Sequence, residues 1–524
     1  MLERLTTAEL ADLAQQIGWF AFADDEVEEY GALVEAVLQT IDLVGDAPLP
    51  ASASGSSTQA IRRKVGQRPT SEEDPLNAVV RWIDVHDPTA SGVLDGLRIG
   101  VKDSIAVKGV PMTLGSDVLR DYEAPRDSVV TERLLAQGAH LVAVTNMDSF
   151  AFSGGGLSSS YGPIMNPFDR SRSAGGSSSG SGAVLAYSDV VDGAIGTDQG
   201  GSIRVPASWT GVLGLKPTHS LVPYAGIVGI DATFDHVGPM ATTTDVLGRL
   251  LIAMVGPDER DPRQAGLSYD VQQIEDVLQS NATDFAGLRV GLVTEGFSTD
   301  DDLRGGTSAA IRSVADRLAE AGAVVTEVSV PEHLMGGGIA FAGFVEGMSA
   351  LALSGGNGHH WAGQYEPELA VAMGAALRER GQALAPQMKM VAVLGEHLRR
   401  RYAGSVYAAA QNQRPALRAG YDRALADVDL LLMPTTPFPA FEIEQGLGLA
   451  DEVLRGWEPL GNCAPLNMTG HPAISLPAAS VDGMPVGAML IGRHFDDARL
   501  VDVAARYERR FGWEGSLPNP RGGK

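Results

Sequence analysis

Two segments in which paired glycines lead a serine, Gly175-Gly176-Ser177 and Gly200-Gly201-Ser202, stand twenty-five residues apart. The first runs into an apolar helix-like stretch, Ala183–Ala186, and the second follows a short apolar strand. Glycine tolerates turns that expose a hydroxyl while nearby backbone N–H groups converge on the atom that hydroxyl attacks. Neither segment is a phosphate loop of the Walker kind, because no Gly-Lys-Ser/Thr follows the glycines. A flexible-linker reading fits poorly where the serine run enters an apolar stretch directly.

The surrounding pattern alternates helix and buried strand. Leu97–Val101 reads as a strand, Val129–Gln137 as a helix leading through Gly138 to a strand at Leu141–Val144. The pattern recurs as a helix at Ile311–Ala321 and a strand at Val324–Val328, with further apolar runs at Leu288–Val293, Asp429–Met433 and Val486–Ile491. Such alternation predicts an α/β domain built on a mostly parallel or mixed sheet.

Residues 1–48 predict a helical segment. Leu10, Leu13, Ala14 and Ile17 form one apolar stripe, and Tyr30, Leu33, Val34, Val37, Leu38 and Ile41 form another. Two short amphipathic helices have little to bury alone, so a homodimer is expected. Residues 49–74, rich in Ala, Ser, Pro, Gly and charge, read as a surface linker before a large domain over 75–524.

The net charge of −25 disfavours nucleic acid or an anionic membrane as partner. The N-terminus has no basic region followed by an apolar run, so no secretory signal is expected. No apolar stretch reads as approaching the ~18–20 residues of a membrane span. The single cysteine, Cys463, rules out internal disulfides and a Cys-only metal site, and fits a reducing cytoplasm.

Lys102 ends the strand Leu97–Val101. Entry into a desolvated pocket there lowers its pKa from the ordinary ~10.4 and lets the neutral amine accept a proton. Pairing with Asp103 is the bland alternative. His219, His236 and His471 lie beside Pro or Gly in turn-like segments and read as hydrogen-bonded loop residues. No Gly-x-Ser-x-Gly elbow surrounds a candidate serine, and Cys463 reads as a packed thiol.

Together, Lys102, the Gly-Gly-Ser-Ser loop and Gly196-Thr197-Asp198-Gln199-Gly200-Gly201-Ser202-Ile203-Arg204-Val205-Pro206 resemble the amidase signature family over roughly residues 75–510. The resemblance implies a twisted mixed central sheet surrounded by helices, and a Ser–cis-Ser–Lys catalytic set with no metal or organic cofactor. Ser202 is then the nucleophile and Lys102 the general base. The spacing from Ser177 to Ser202 is one residue longer than the family's. Placing the extra residue in Tyr187–Gly193 makes Ser177 the bridging serine, the favoured choice; placing it in the serine run makes it Ser178.

The backbone N–H groups of Gln199, Gly200, Gly201 and Ser202 are expected to form the oxyanion hole. Phe152, Ser153, Gly154 and the Gln199 side chain are expected to contact substrate. Arg204 either braces Asp198 or grips a substrate carboxylate. Gly214-Leu215-Lys216-Pro217-Thr218, Asp235-His236-Val237-Gly238-Pro239 and Gly492-Arg493-His494-Phe495-Asp496 resemble the nitrile-hydratase-associated amidases. That subgroup implies hydrolysis of small aliphatic or aromatic amides. The same machinery also suits carbamates, anilides or esters, or a glutamine-dependent amidotransferase component.

Overall fold

Among the described residues the apolar runs and one charged edge strand assemble into one mixed sheet of 12 strands. The computed structural model describes residues 4–17, 21–23, 25–42, 61–297, 305–354 and 361–513. The strands are β1 (Arg62–Val65), β2 (Val79–His86), β3 (Arg98–Lys102), β4 (His140–Thr145), β5 (Gly193–Asp198), β6 (Leu213–Lys216), β7 (His236–Ala241), β8 (Arg289–Val293), β9 (Val324–Val328), β10 (Leu430–Pro434), β11 (Ala473–Val481) and β12 (Met484–Ile491). Their order is β1-β2-β4-β3-β5-β7-β6-β11-β12-β10-β8-β9. Helices surround the sheet, as an α/β fold with buried strands requires.

The chain divides into a unit over Met1–Ser57 and a second over Thr58–Lys524. Within the first, the described helices are Thr7–Ile17 and Glu26–Asp42, pinned by Arg4 to Glu35 at 3.1 Å and to Asp42 at 2.7 Å. Leu10 and Ala14 are buried, whereas Leu13, Tyr30, Leu33, Val37 and Ile41 are exposed.

The expected linker differs from what is observed. Residues 49–60 lie outside the described residues, but β1 falls at Arg62–Val65 and pairs antiparallel with β2. Three of its four side chains, Arg62, Arg63 and Lys64, are charged: an edge strand needs only its backbone for pairing, and charge there guards against edge-to-edge association. Arg63 further anchors it to Asp127.

The helix His333–Leu353 overturns a second expectation, since residues 333–351 are long and apolar enough to span a membrane. Gly336, Gly337, Gly338 and Glu346 break up the large apolar residues and hid the run in the sequence. Ala340, Phe344, Val345 and Met348 of this helix are buried in the core.

One feature of the topology positions the chemistry. Strand β3 lies parallel to β5, with Val101 opposite Ile195. Both carboxyl ends therefore point the same way, where open α/β sheets place their ligands. Lys102 ends β3 and Asp198 ends β5.

Candidate active site

Lys102 is fully buried, its Nζ 2.7 Å from Ser177 Oγ and 2.8 Å from Thr197 Oγ1. Burial drops its pKa from the ordinary 10.5 to about 7, against the opposing pull of Asp148 and Asp198. Asp103 does not pair with it. That carboxylate accepts from the amides of Thr113 at 3.0 Å and Gly115 at 3.1 Å, holding the turn over the strand end.

The peptide bond Gly176–Ser177 is cis. Ser178 instead turns to β5, its Oγ donating to Thr197 O at 3.1 Å. The Ser178 amide donates to Ser202 O at 3.0 Å and so clamps the two serine loops together. Lys102 and Ser177 are thus in direct contact. Ser202 Oγ, by contrast, has no hydrogen-bond partner among the described residues and lies at an open cleft.

Asp198 organises the nucleophile loop. Its carboxylate accepts from Gly201 N at 2.8 Å and Ile203 N at 3.1 Å, and from Arg204 at 2.9 and 3.0 Å. Burial alone raises its pKa, but Arg204 prevails and holds it at about 2. Arg204 is itself fully buried and also bonds Asn467 Oδ1 at 2.7 Å. It is therefore a brace of the loop.

This corrects the expected oxyanion set, because the Gly201 N–H is already spent on Asp198. Among the described residues no acceptor takes the amides of Gln199, Gly200 or Ser202, which remain available. Gly201 stands at φ +134°, and a Cβ there would lie 2.6 Å from that of Cys463. Cys463 is buried, with its Sγ donating to Thr435 O at 3.3 Å, and burial pushes the thiol up to about 12.

Phe152, Ser153, Gln199, Phe344, Trp457 and Leu460 line the cleft beside Ser202. Phe152 meets Phe344 and Trp457 edge-on at 6.5 and 6.4 Å. Gly154 does not line it: its amide donates to Gly456 O at 2.6 Å, and it packs behind the wall against Leu460. The Gln199 side chain lines this cleft and is oriented there by its Nε2, which donates to Tyr224 OH at 2.7 Å.

Several residues of the site are not evident from the sequence: Thr197, the second partner of Lys102; Asp148, a buried carboxylate accepting from Gly156 N at 2.8 Å and Ser158 N at 2.9 Å; and Phe344, Trp457 and Leu460 of the cleft wall. Burial raises the Asp148 pKa. Thr197 sits in the motif already singled out, and its place beside Lys102 follows from the β3–β5 pairing. Phe344 carried no local signal. Of the histidines, His236 belongs to β7 and is not in a turn; its Nδ1 donates to Phe234 O at 2.8 Å. His219 Nε2 donates to Ala232 O at 3.2 Å.

A family model described as Amidase matches residues 81–501. An enantioselective amidase of Rhodococcus rhodochrous is 36% identical over 495 residues, covering 93% of this chain and 92% of that protein. A glutamyl-tRNA(Gln) amidotransferase subunit of Halobacterium salinarum is 35% identical over 440 residues, covering 83% and 100%. Among solved structures, the native peptide amidase of Stenotrophomonas maltophilia superposes with a TM-score of 0.64 at 27% identity, covering 81% of this chain and 84% of that one. With the match spanning most of the large unit and the motif serines and lysine in place, the chain belongs to the amidase signature family.

Proposed function

We propose that this enzyme hydrolyses small carboxamides with an apolar or aromatic acyl group to the carboxylic acid and ammonia. The observation that carries the reading is the buried Lys102 Nζ, 2.7 Å from Ser177 Oγ, with its pKa brought to about 7. Neutral Lys102 takes the Ser177 proton while Ser177 takes that of Ser202, whose Oγ bonds to the amide carbon. The free amides of Gln199, Gly200 and Ser202 receive the developing oxyanion; losing one such donor elsewhere costs ~3–4 kcal/mol. The proton returns through Ser177 to the nitrogen as the C–N bond breaks and ammonia leaves. Water then attacks the acyl-enzyme over the same relay, releasing the acid and restoring Ser202.

The lining of the cleft supports an uncharged acyl group, since its side chains are apolar, aromatic or neutral polar and none is charged. The same feature argues against free glutamine, whose ammonium and carboxylate require charged partners. It leaves anilides, esters and carbamates as rivals with the same carbonyl chemistry. The deciding experiment is a panel of acetamide, benzamide, an anilide, an ester, a carbamate and glutamine, with mass spectrometry of a phosphonyl adduct. Benzamide turnover with the label on Ser202 is expected; glutaminase activity that needs partner proteins, or a label on Ser178, overturns the reading.

The exposed Tyr30, Leu33, Val37 and Ile41 support a homodimer. The charge of −25 and the lone buried Cys463 support a cytoplasmic enzyme acting on small molecules.

A further inference from the structure

Away from the cleft, two histidines meet one carboxylate. Asp422 lies on the helix Ser405–Asp427, His471 just before β11 and His494 just after β12. His471 Nε2 is 3.0 Å from Asp422 Oδ1, and His494 Nδ1 is 4.0 Å from the same oxygen. The three donor atoms all fall within 4.8 Å of one another.

The outer nitrogens settle what these rings present to that point. His494 Nε2 lies 3.0 Å from the Thr469 carbonyl oxygen. A carbonyl only accepts, so Nε2 carries the proton and Nδ1 is a lone pair. Among the described residues no donor reaches that Nδ1. His471 Nε2 donates to Asp422 Oδ1 at 3.0 Å while its Nδ1 accepts from Thr469 Oγ1 at 2.9 Å; that hydroxyl can reverse its role, moving the ring proton to Nδ1 and freeing the Nε2 lone pair for a ligand. Arg418 Nε lies 3.5 Å from Asp422 Oδ2.

We propose that Asp422, His471 and His494 bind a divalent transition-metal ion, with Zn²⁺ the best match to two imidazoles and one carboxylate. Three protein ligands leave a fourth position to water, and Thr469 orients both rings as outer-shell partners of zinc histidines do. The ion staples the end of a helix to the chain leaving β12 and entering β11. A second cluster, Asp84 with His86 at 2.9 Å and His140 at 2.8 Å, lacks this character. Among the described residues no outer hydrogen-bond partner orients either of its rings, as Thr469 orients His471 and His494.

The test uses the tag-free full chain, stripped with chelator and titrated with Co²⁺ while visible absorption is recorded, then displaced with Zn²⁺. One Co²⁺ per chain with the intense bands of a tetrahedral site is expected. Asp422→Asn, at an exposed position, should weaken binding by more than about tenfold, and Thr469→Val by about 10–100-fold as for lost outer-shell partners. His140→Gln should leave the titration unchanged, and Zn²⁺ should raise the Tm of the unaltered protein but not of Asp422→Asn. Absence of saturable binding overturns the proposal. So does binding that survives Asp422→Asn and vanishes with His140→Gln.

Discussion

Lys102 Nζ stands 2.7 Å from Ser177 Oγ across 75 residues of chain, with both residues fully buried. A buried amine with a pKa near 7 has access to the proton of a hydroxyl at that distance, which an exposed lysine at 10.5 does not. The contact is made by the parallel pairing of β3 with β5 and by the serine loop folded over both.

Replacing Lys102 by Met keeps the buried volume and removes the base. We expect kcat to fall by about 10²–10⁴-fold, the usual contribution of a positioned proton acceptor, with an unchanged circular dichroism spectrum. Ser202→Ala should abolish turnover entirely. Near-normal kcat in Lys102→Met would show that another group takes the proton.

The pH dependence has a definite sign. Desolvation lowers the lysine pKa to about 7, so the active neutral amine is lost to the ammonium as pH falls below that value. The kcat/KM of a neutral amide should therefore rise with pH through about 7 and level off above it, which a pH-rate series on benzamide measures.

Thr197 Oγ1, 2.8 Å from Lys102 Nζ, fixes the direction of the amine. Thr197→Val should lower kcat by roughly 10–100-fold, the cost of about 1–3 kcal/mol for one buried partner, and leave KM nearly unchanged. Thr197→Ser, which retains the hydroxyl, should restore most of the rate.

Asp198→Asn removes the charge that compensates a fully buried Arg204. Breaking such a pair typically costs about 3–5 kcal/mol, so a lowered urea midpoint is expected together with lost activity as the Gly201 and Ile203 amides lose their anchor. A variant as stable as the parent would assign the loop's order to other contacts.

A methyl on Gly200 would lie 2.7 Å from Phe344 Cζ at the cleft wall. Gly200→Ala should push that ring into the acyl pocket and raise KM for benzamide more than for acetamide. Steady-state kinetics on the two substrates checks the ratio.

The two glycine-led serines, the lysine at a strand end and the alternation of buried strands with helices were legible because each is a local pattern. Strand β9 appears at Val324–Val328, the bounds its apolar run gives, and β8, β10 and β12 fall within two residues of theirs. Motif spacing likewise brought Ser177 forward ahead of Ser178. Tertiary structure alone decided which amides stay free, since only folding sets the Asp198 carboxylate against Gly201 N. It also decided the cleft wall, where Phe344 and Trp457 arrive from far along the chain to face Phe152. Strand β1 belongs with these, because a mostly charged edge strand is defined by the backbone it pairs with and leaves no periodic mark. Periodicity reports which way a side chain points along its own element; which distant partner it meets is set by how the elements pack.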